Sequence, residues 1–224
     1  MTEAIIDDKK HRVPIPKYSL AEELISAISH GVGGLLSIAA LVISVVFAAK
    51  SGSAAGVVGC AIYGSTMVIL YVMSCIYHAL VPCQGKRVFR VFDHCTIYLM
   101  IAGTYTPFTL VSLKGTVGWV LFGIVWGFAV LGIIFNAIDL EKYKIPSMVA
   151  YLGMGWAIIF AFPKLYAAVS FRCLLFLIIG GVVYTLGAIV YGIGSKVKYM
   201  HSIWHFFVLG GSVLHFFAIL FIFI

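Results

Sequence analysis

Charged side chains are scarce in this chain: eight Asp and Glu and fifteen Lys and Arg make up 10% of 224 residues, where a soluble domain carries about 25%. The remainder is 62% apolar with a mean hydropathy of +1.10. A soluble globular class is thereby excluded, and so few residues lie outside the apolar runs that no separate soluble domain fits. The five cysteines (Cys60, Cys75, Cys83, Cys95 and Cys173) are odd in number and include no C-x-x-C pair, so no disulfide framework is implied. The two-residue alternation of a membrane β-strand is also missing, which leaves helices as the means of crossing lipid. The first apolar run is too long for a signal-peptide core, so the polar segment before it is expected to stay attached.

Seven stretches free of Asp, Glu, Lys and Arg approach or exceed the ~20 residues that span a bilayer. They predict an all-α membrane protein, a seven-helix bundle at residues 24–224 with helices near 24–49, 54–81, 93–113, 116–137, 146–166, 172–193 and 200–223, preceded by an arm at 1–23. The glycines suit close helix contacts, as in Gly52-x-x-x-Gly56 and Gly123-x-x-x-Gly127. Eleven of the fifteen cations fall on the N-terminal side of the bundle: Lys9, Lys10, Arg12 and Lys17, then Lys86, Arg87 and Arg90, then Lys142 and Lys144, then Lys196 and Lys198. The positive-inside bias places the N-terminus in the cytoplasm and the C-terminus outside. The net charge of +7 is therefore a topology signal in a multi-pass cell-membrane protein, and nucleic acid is not an expected partner.

Within this apolar chain the polar residues collect at one depth. His201 and His205 are four residues apart, so both imidazoles leave one helix face. His30, Ser74, His78, Asp93 and His94 fall near the same cytoplasmic side, as does His11 of the arm, while His215 sits deeper. Ring nitrogens are costly in hydrocarbon and call for a metal, a haem, a proton path or a hydrogen-bonded partner. If helices 2 and 7 adjoin, His78, His201 and His205 supply three ligands to zinc and leave a fourth position, where water is acidified to a pKa of about 7. Asp93 would take that water's proton or hold it by a hydrogen bond, and Ser74, four residues before His78, would stabilise an oxyanion.

Plainer roles exist for the same residues. A His-x-x-x-His pair near a helix end is often interfacial or simply packed, and Asp93 would serve as a helix N-cap or as the partner of Arg90. His94 points about 100° away from Asp93 and is free to snorkel to the interface. His215 reads as a hydrogen-bonded packing residue and Cys75 as small apolar packing. A bis-histidine haem would use the histidines but gives Asp93 no role.

The ordered motifs Glu23-x-x-Ser26-x-x-x-His30, Ser74-x-x-x-His78, Asp93-His94 leading into IAGTYTPF, and His201-x-x-x-His205 resemble the haemolysin III family of bacterial membrane proteins, grouped with the progestin and adiponectin receptors. The resemblance runs from about residue 22 to the end. It implies zinc on His78, His201 and His205, Asp93 against the zinc-bound water, Ser74 beside it, and supporting roles for Glu23 and His30. Ser26 stands where the receptors often carry Asn, and the receptors have a longer N-terminal domain, so hormone recognition is not among the expectations.

Three functions follow as expectations. The first is a zinc-dependent hydrolase of a lipid amide or ester, similar to ceramidases, with membrane lipids as partners. The second is a structural zinc site in a membrane sensor, permeability regulator or haemolysin-like cytolytic protein; seven short-looped helices are too few to enclose a wide pore in one copy. The third is a proton or ion transporter, against which stands the near absence of ionisable residues in the outer half beyond His215.

Overall fold

The computed structural model describes residues 13–194 and 197–224. His11, Lys9, Lys10 and Arg12 of the arm, and Lys196 of the last loop, lie outside the described residues.

Among the described residues there are seven helices long and apolar enough to cross a membrane, α1 (Leu20–Lys50), α2 (Ala54–Ala79), α3 (Gln84–Leu113), α4 (Gly115–Ile138), α5 (Lys144–Ala168), α6 (Phe171–Gly194) and α7 (Met200–Leu220). α1 packs on both α2 and α7, α2 on α3, α3 on α4, and α6 on α7. The backbones of α2 and α7 are thus joined mainly through α1, and it is long side chains that meet between them. The Tyr71 hydroxyl of α2, for example, donates to Ser212 Oγ of α7 at 2.6 Å.

The helix starts show why the charge-free stretches misplace two boundaries. α1 begins at Leu20, earlier than expected, because Ser19 and Glu22 form a capping box: the Ser19 hydroxyl accepts from the Glu22 N–H, and the Glu22 carboxylate accepts from the Ser19 N–H at 2.9 Å. Glu23 therefore belongs to the helix and not to the arm. α3 starts at Gln84, behind a Cys83 cap, rather than at residue 93. The helix runs through Lys86, Arg87 and Arg90, two of which are buried against acidic partners. Asp93 is consequently more than two turns inside α3. It caps nothing, and Arg90 pairs instead with Glu141 at 2.6 Å.

α3 ends in a π-helical turn, Phe108–Leu113, and α5 is broken by a 3₁₀ turn at Ala157–Ala161. Small residues line the inner face of α1: Ser26, Ala27, Ser29, Gly33, Gly34 and Ser37 are buried, while Leu20, Ile28, Leu35 and Val42 face outward. Gly33 lies against the Tyr71 ring, where a Cβ would overlap it. Ser29 and Ser37 satisfy their hydroxyls within the helix, Ser37 by donating to the Gly34 carbonyl at 2.7 Å, whereas Ser26 Oγ meets Ser202 Oγ of α7 at 3.2 Å. The Gly123 and Gly127 pair of α4 is exposed, and a Cβ at either would meet nothing within 4 Å. Among the described residues these two glycines mediate no helix contact.

Candidate metal centre

The first turn of α1 organises the site. Consecutive glutamates point about 100° apart around a helix, and here they serve different neighbours. Glu22 turns to α7: its Oε1 accepts from the Tyr199 N–H at 2.8 Å, and its carbonyl accepts from the Ser202 hydroxyl at 3.1 Å. That bond anchors Tyr199 in the left-handed region (φ 66°), an uncommon conformation for a bulky residue, immediately before α7 and His201. Glu23 turns the other way, to α2 and α3. Its Oε2 lies 2.7 Å from His78 Nδ1 and its Oε1 accepts from Lys86 Nζ at 2.7 Å.

His78, His201 and His205 come together as a buried group whose ligand atoms all lie within 4.8 Å of one another. His201 Nε2 is 3.3 Å from His78 Nε2 and 3.3 Å from His205 Nε2. That spacing is long for a nitrogen hydrogen bond but equals the ~3.3 Å edge of a tetrahedron whose ligands sit 2.0–2.1 Å from a central zinc. A carboxylate can only accept, so Glu23 requires the hydrogen of His78 on Nδ1 and leaves the Nε2 lone pair facing the group. The donor set thus fits a metal ion. It does not fit a haem: the three rings lie 4.7–5.2 Å apart, centroid to centroid, with no gap for a porphyrin between them.

Around this centre the other expected residues are placed unequally. His30 is buried with its ring 3.9 Å from that of His205, and among the described residues neither of its nitrogens has a hydrogen-bond partner. Ser74 is fully buried, and its hydroxyl has no hydrogen-bond partner among the described residues. Asp93 is not in the three-nitrogen group. With His30 and His201 it lines a cavity of about 180 Å³ that extends between α3, α5, α6 and α7. The walls away from the histidines are apolar, formed by residues such as Met100, Phe108, Leu152 and Trp156.

His94 does not snorkel outward. It faces the same cavity, with Nδ1 2.9 Å from the Arg90 carbonyl and Nε2 3.3 Å from the Tyr191 hydroxyl. His215 is a hydrogen-bonded core residue, 3.2 Å from the Leu177 carbonyl, and also reaches the cavity wall. Between it and the metal group, the Tyr71 and Tyr184 hydroxyls both meet Ser212. These neutral hydroxyls put more polarity in the core than ionisable residues alone suggest.

Two participants were not visible as such in the sequence. Tyr18, just before α1, stacks its ring on His201 at 4.7 Å and 14°. Burial raises its phenol well above the ordinary value, so the group remains a neutral hydroxyl. The segment carrying it is tied down by Arg90, whose Nη1 donates to the Pro14 carbonyl. The second is Lys86, which in the sequence reads only as a loop cation. Both depend on contacts across more than sixty positions of chain, and no local pattern announces them.

Seven apolar helices closed around a buried three-histidine group define a multi-pass membrane protein with a potential metal centre. Comparison with known proteins gives the family: haemolysin-III related, matching residues 18–216. The chain is 44% identical over 204 residues to the hemolysin-3 homolog of Bacillus subtilis (strain 168), covering 91% of this chain and 95% of that one. It is 42% identical over 200 residues to hemolysin-3 of Bacillus cereus, covering 89% and 91%. The human monocyte to macrophage differentiation factor is a more distant relative, 26% identical over 168 residues, with 70% of this chain and 67% of that protein covered. The chain belongs to the haemolysin-III-related family of integral membrane proteins. No solved structure matches it significantly.

Proposed function

We propose that this chain is a zinc-dependent membrane hydrolase acting on an amide or ester bond of a lipid, with its site on the cytoplasmic side of the bundle. The observation that carries the reading is the convergence of three histidine nitrogens, spaced 3.3 Å along two edges, beside an apolar cavity whose wall includes His201 and Asp93. A zinc ion held by His78, His201 and His205 would supply a Lewis acid and acidify water at its open position.

The chain's own residues do the rest. Glu23 holds His78 in the tautomer that offers Nε2. The apolar wall takes the lipid's hydrocarbon part and excludes bulk water. Asp93, on the same wall, accepts a proton from the attacking water and returns it to the leaving amine or alcohol as the C–N or C–O bond breaks. Ser74, one turn before His78, offers a polar atom at the site a hydroxyl that has no partner among the described residues.

The test uses the full chain purified in detergent, with metal analysis and release of fatty acid from a ceramide followed together. His205→Ala and His78→Ala are expected to lose both zinc and hydrolysis. Full zinc occupancy in either variant would sink the site assignment.

A second reading, a structural zinc in a non-enzymatic sensor or permeability regulator, is favoured by the Tyr18 ring stacked against His201. It predicts zinc in the wild type, no lipid turnover, and loss of fold when the ion is stripped.

A further inference from the structure

Lys86 carries one of the positive charges that orient the chain, and a cation in that role belongs in water. It is instead 1% exposed. An ammonium withdrawn from solvent is costly unless it is paired and its donors are satisfied. Its donors have specific destinations: Nζ donates to Glu23 Oε1 at 2.7 Å and to the Leu80 carbonyl at 2.8 Å, and lies 5.1 Å from the centre of the Tyr77 ring. Leu80 is the C-terminal cap of α2, where a cation is favourable, and it lies two residues beyond His78. One lysine therefore touches the end of the helix that carries His78 and the carboxylate that orients it.

The division of the Glu23 oxygens makes this more than a tie between helices. Oε1 is held by Lys86, and Oε2 is left for His78 Nδ1. With Oε1 released, the carboxylate could rotate about its side-chain torsions, and His78 would lose the acceptor that keeps its hydrogen on Nδ1. We propose that Lys86 is a positioning residue of the metal centre, acting through Glu23 to hold the His78 tautomer that presents Nε2. This deepens the metal-binding reading of the three-histidine group and rests on it. A plain interhelical tie makes a different demand: its loss would lower the stability of the fold and leave the affinity of the folded protein for metal unchanged.

The experiment measures zinc affinity of the full chain in detergent by chelator competition, with the cobalt absorption spectrum as an independent report on the ligand set. Lys86→Met is expected to weaken zinc about tenfold, the lower end of the range for outer partners of metal-bound histidines. Lys86→Arg, which keeps a cation able to reach the carboxylate, is expected to recover most of the loss. In a Glu23→Gln background, Lys86→Met should cost nothing further and recover part of the loss, because the amide, no longer held by its oxygen, can turn that oxygen to the His78 Nδ1–H. Should Lys86→Met give no folded chain, Lys86→Leu, which likewise has no donor for the carboxylate, takes its place with the same expectation.

Zinc affinity unchanged in the single variant, or an equal loss in both backgrounds, overturns the assignment. A wild-type chain that binds no zinc or cobalt would instead remove the metal reading itself, which keeps the two failures distinct.

Discussion

Replacing Glu23 with Gln changes one oxygen to an amide nitrogen and isolates the contact that sets the His78 tautomer. In the wild type, Oε2 lies 2.7 Å from His78 Nδ1 and Oε1 2.7 Å from Lys86 Nζ. Lys86 has only donors, so in the variant it selects the amide oxygen and turns the NH₂ group toward His78. That NH₂ needs an acceptor, which drives the imidazole hydrogen from Nδ1 to Nε2 and removes the lone pair aimed at the metal. Loss of such an outer partner weakens metal binding 10–100-fold, about 1.4–2.8 kcal/mol. The forced tautomer places Glu23→Gln at the upper end, and Glu23→Ala, which forces nothing, below it.

The assay is zinc competition on detergent-purified chain. Nitrogen NMR of labelled histidine in the metal-free state reports where the His78 hydrogen resides. A Glu23→Gln affinity within about threefold of the wild type, a difference well under 1.4 kcal/mol, would refute the reasoning.

Three further outcomes are expected. Asp93→Asn keeps the zinc, since Asp93 is outside the three-nitrogen group, but lowers lipid hydrolysis by about 10²–10⁴-fold; unchanged turnover would exclude Asp93 as the proton carrier. Gly181→Leu fills the cavity where a Cβ first meets Trp156 at 3.7 Å, so lipid turnover should fall while zinc content stays at the wild-type level in metal analysis. Tyr18→Ala uncovers the His201 ring and should speed zinc loss to a chelator about tenfold through freer solvent access; a release rate equal to that of the wild type would show that Tyr18 does not shield the ion.

How far the site was legible in the sequence depends on what each residue's signal was. His201 and His205 were readable because a helix puts positions i and i+4 on one face, and an imidazole in an apolar run stands out. His78 joined them only on the condition that α2 and α7 adjoin. The structure meets that condition through side chains, with α1 packed against both helices. Glu23 and His30 entered through the family motif as supporting residues, and the structure gives Glu23 its definite contact with His78. Lys86 and Tyr18 left no trace, since a loop cation and a pre-helix tyrosine are ordinary in themselves.

The same distinction explains the boundaries. Charge ends a span only when the charge is solvated, and α3 continues through Lys86 and Arg90 because Glu23 and Glu141 neutralise them. No count of apolar residues contains that pairing.

The sequence by itself determined that the chain crosses a membrane seven times as helices, because apolar runs of that length have no other way to satisfy their backbone in lipid. It also determined that its costly polar groups gather at one depth. The tertiary structure alone decided which of them meet. Packing α2 and α7 against α1 converges three ring nitrogens and directs Glu22 to one neighbour and Glu23 to another. It also buries Lys86, and those contacts join residues far apart in the chain, beyond the reach of any local periodicity.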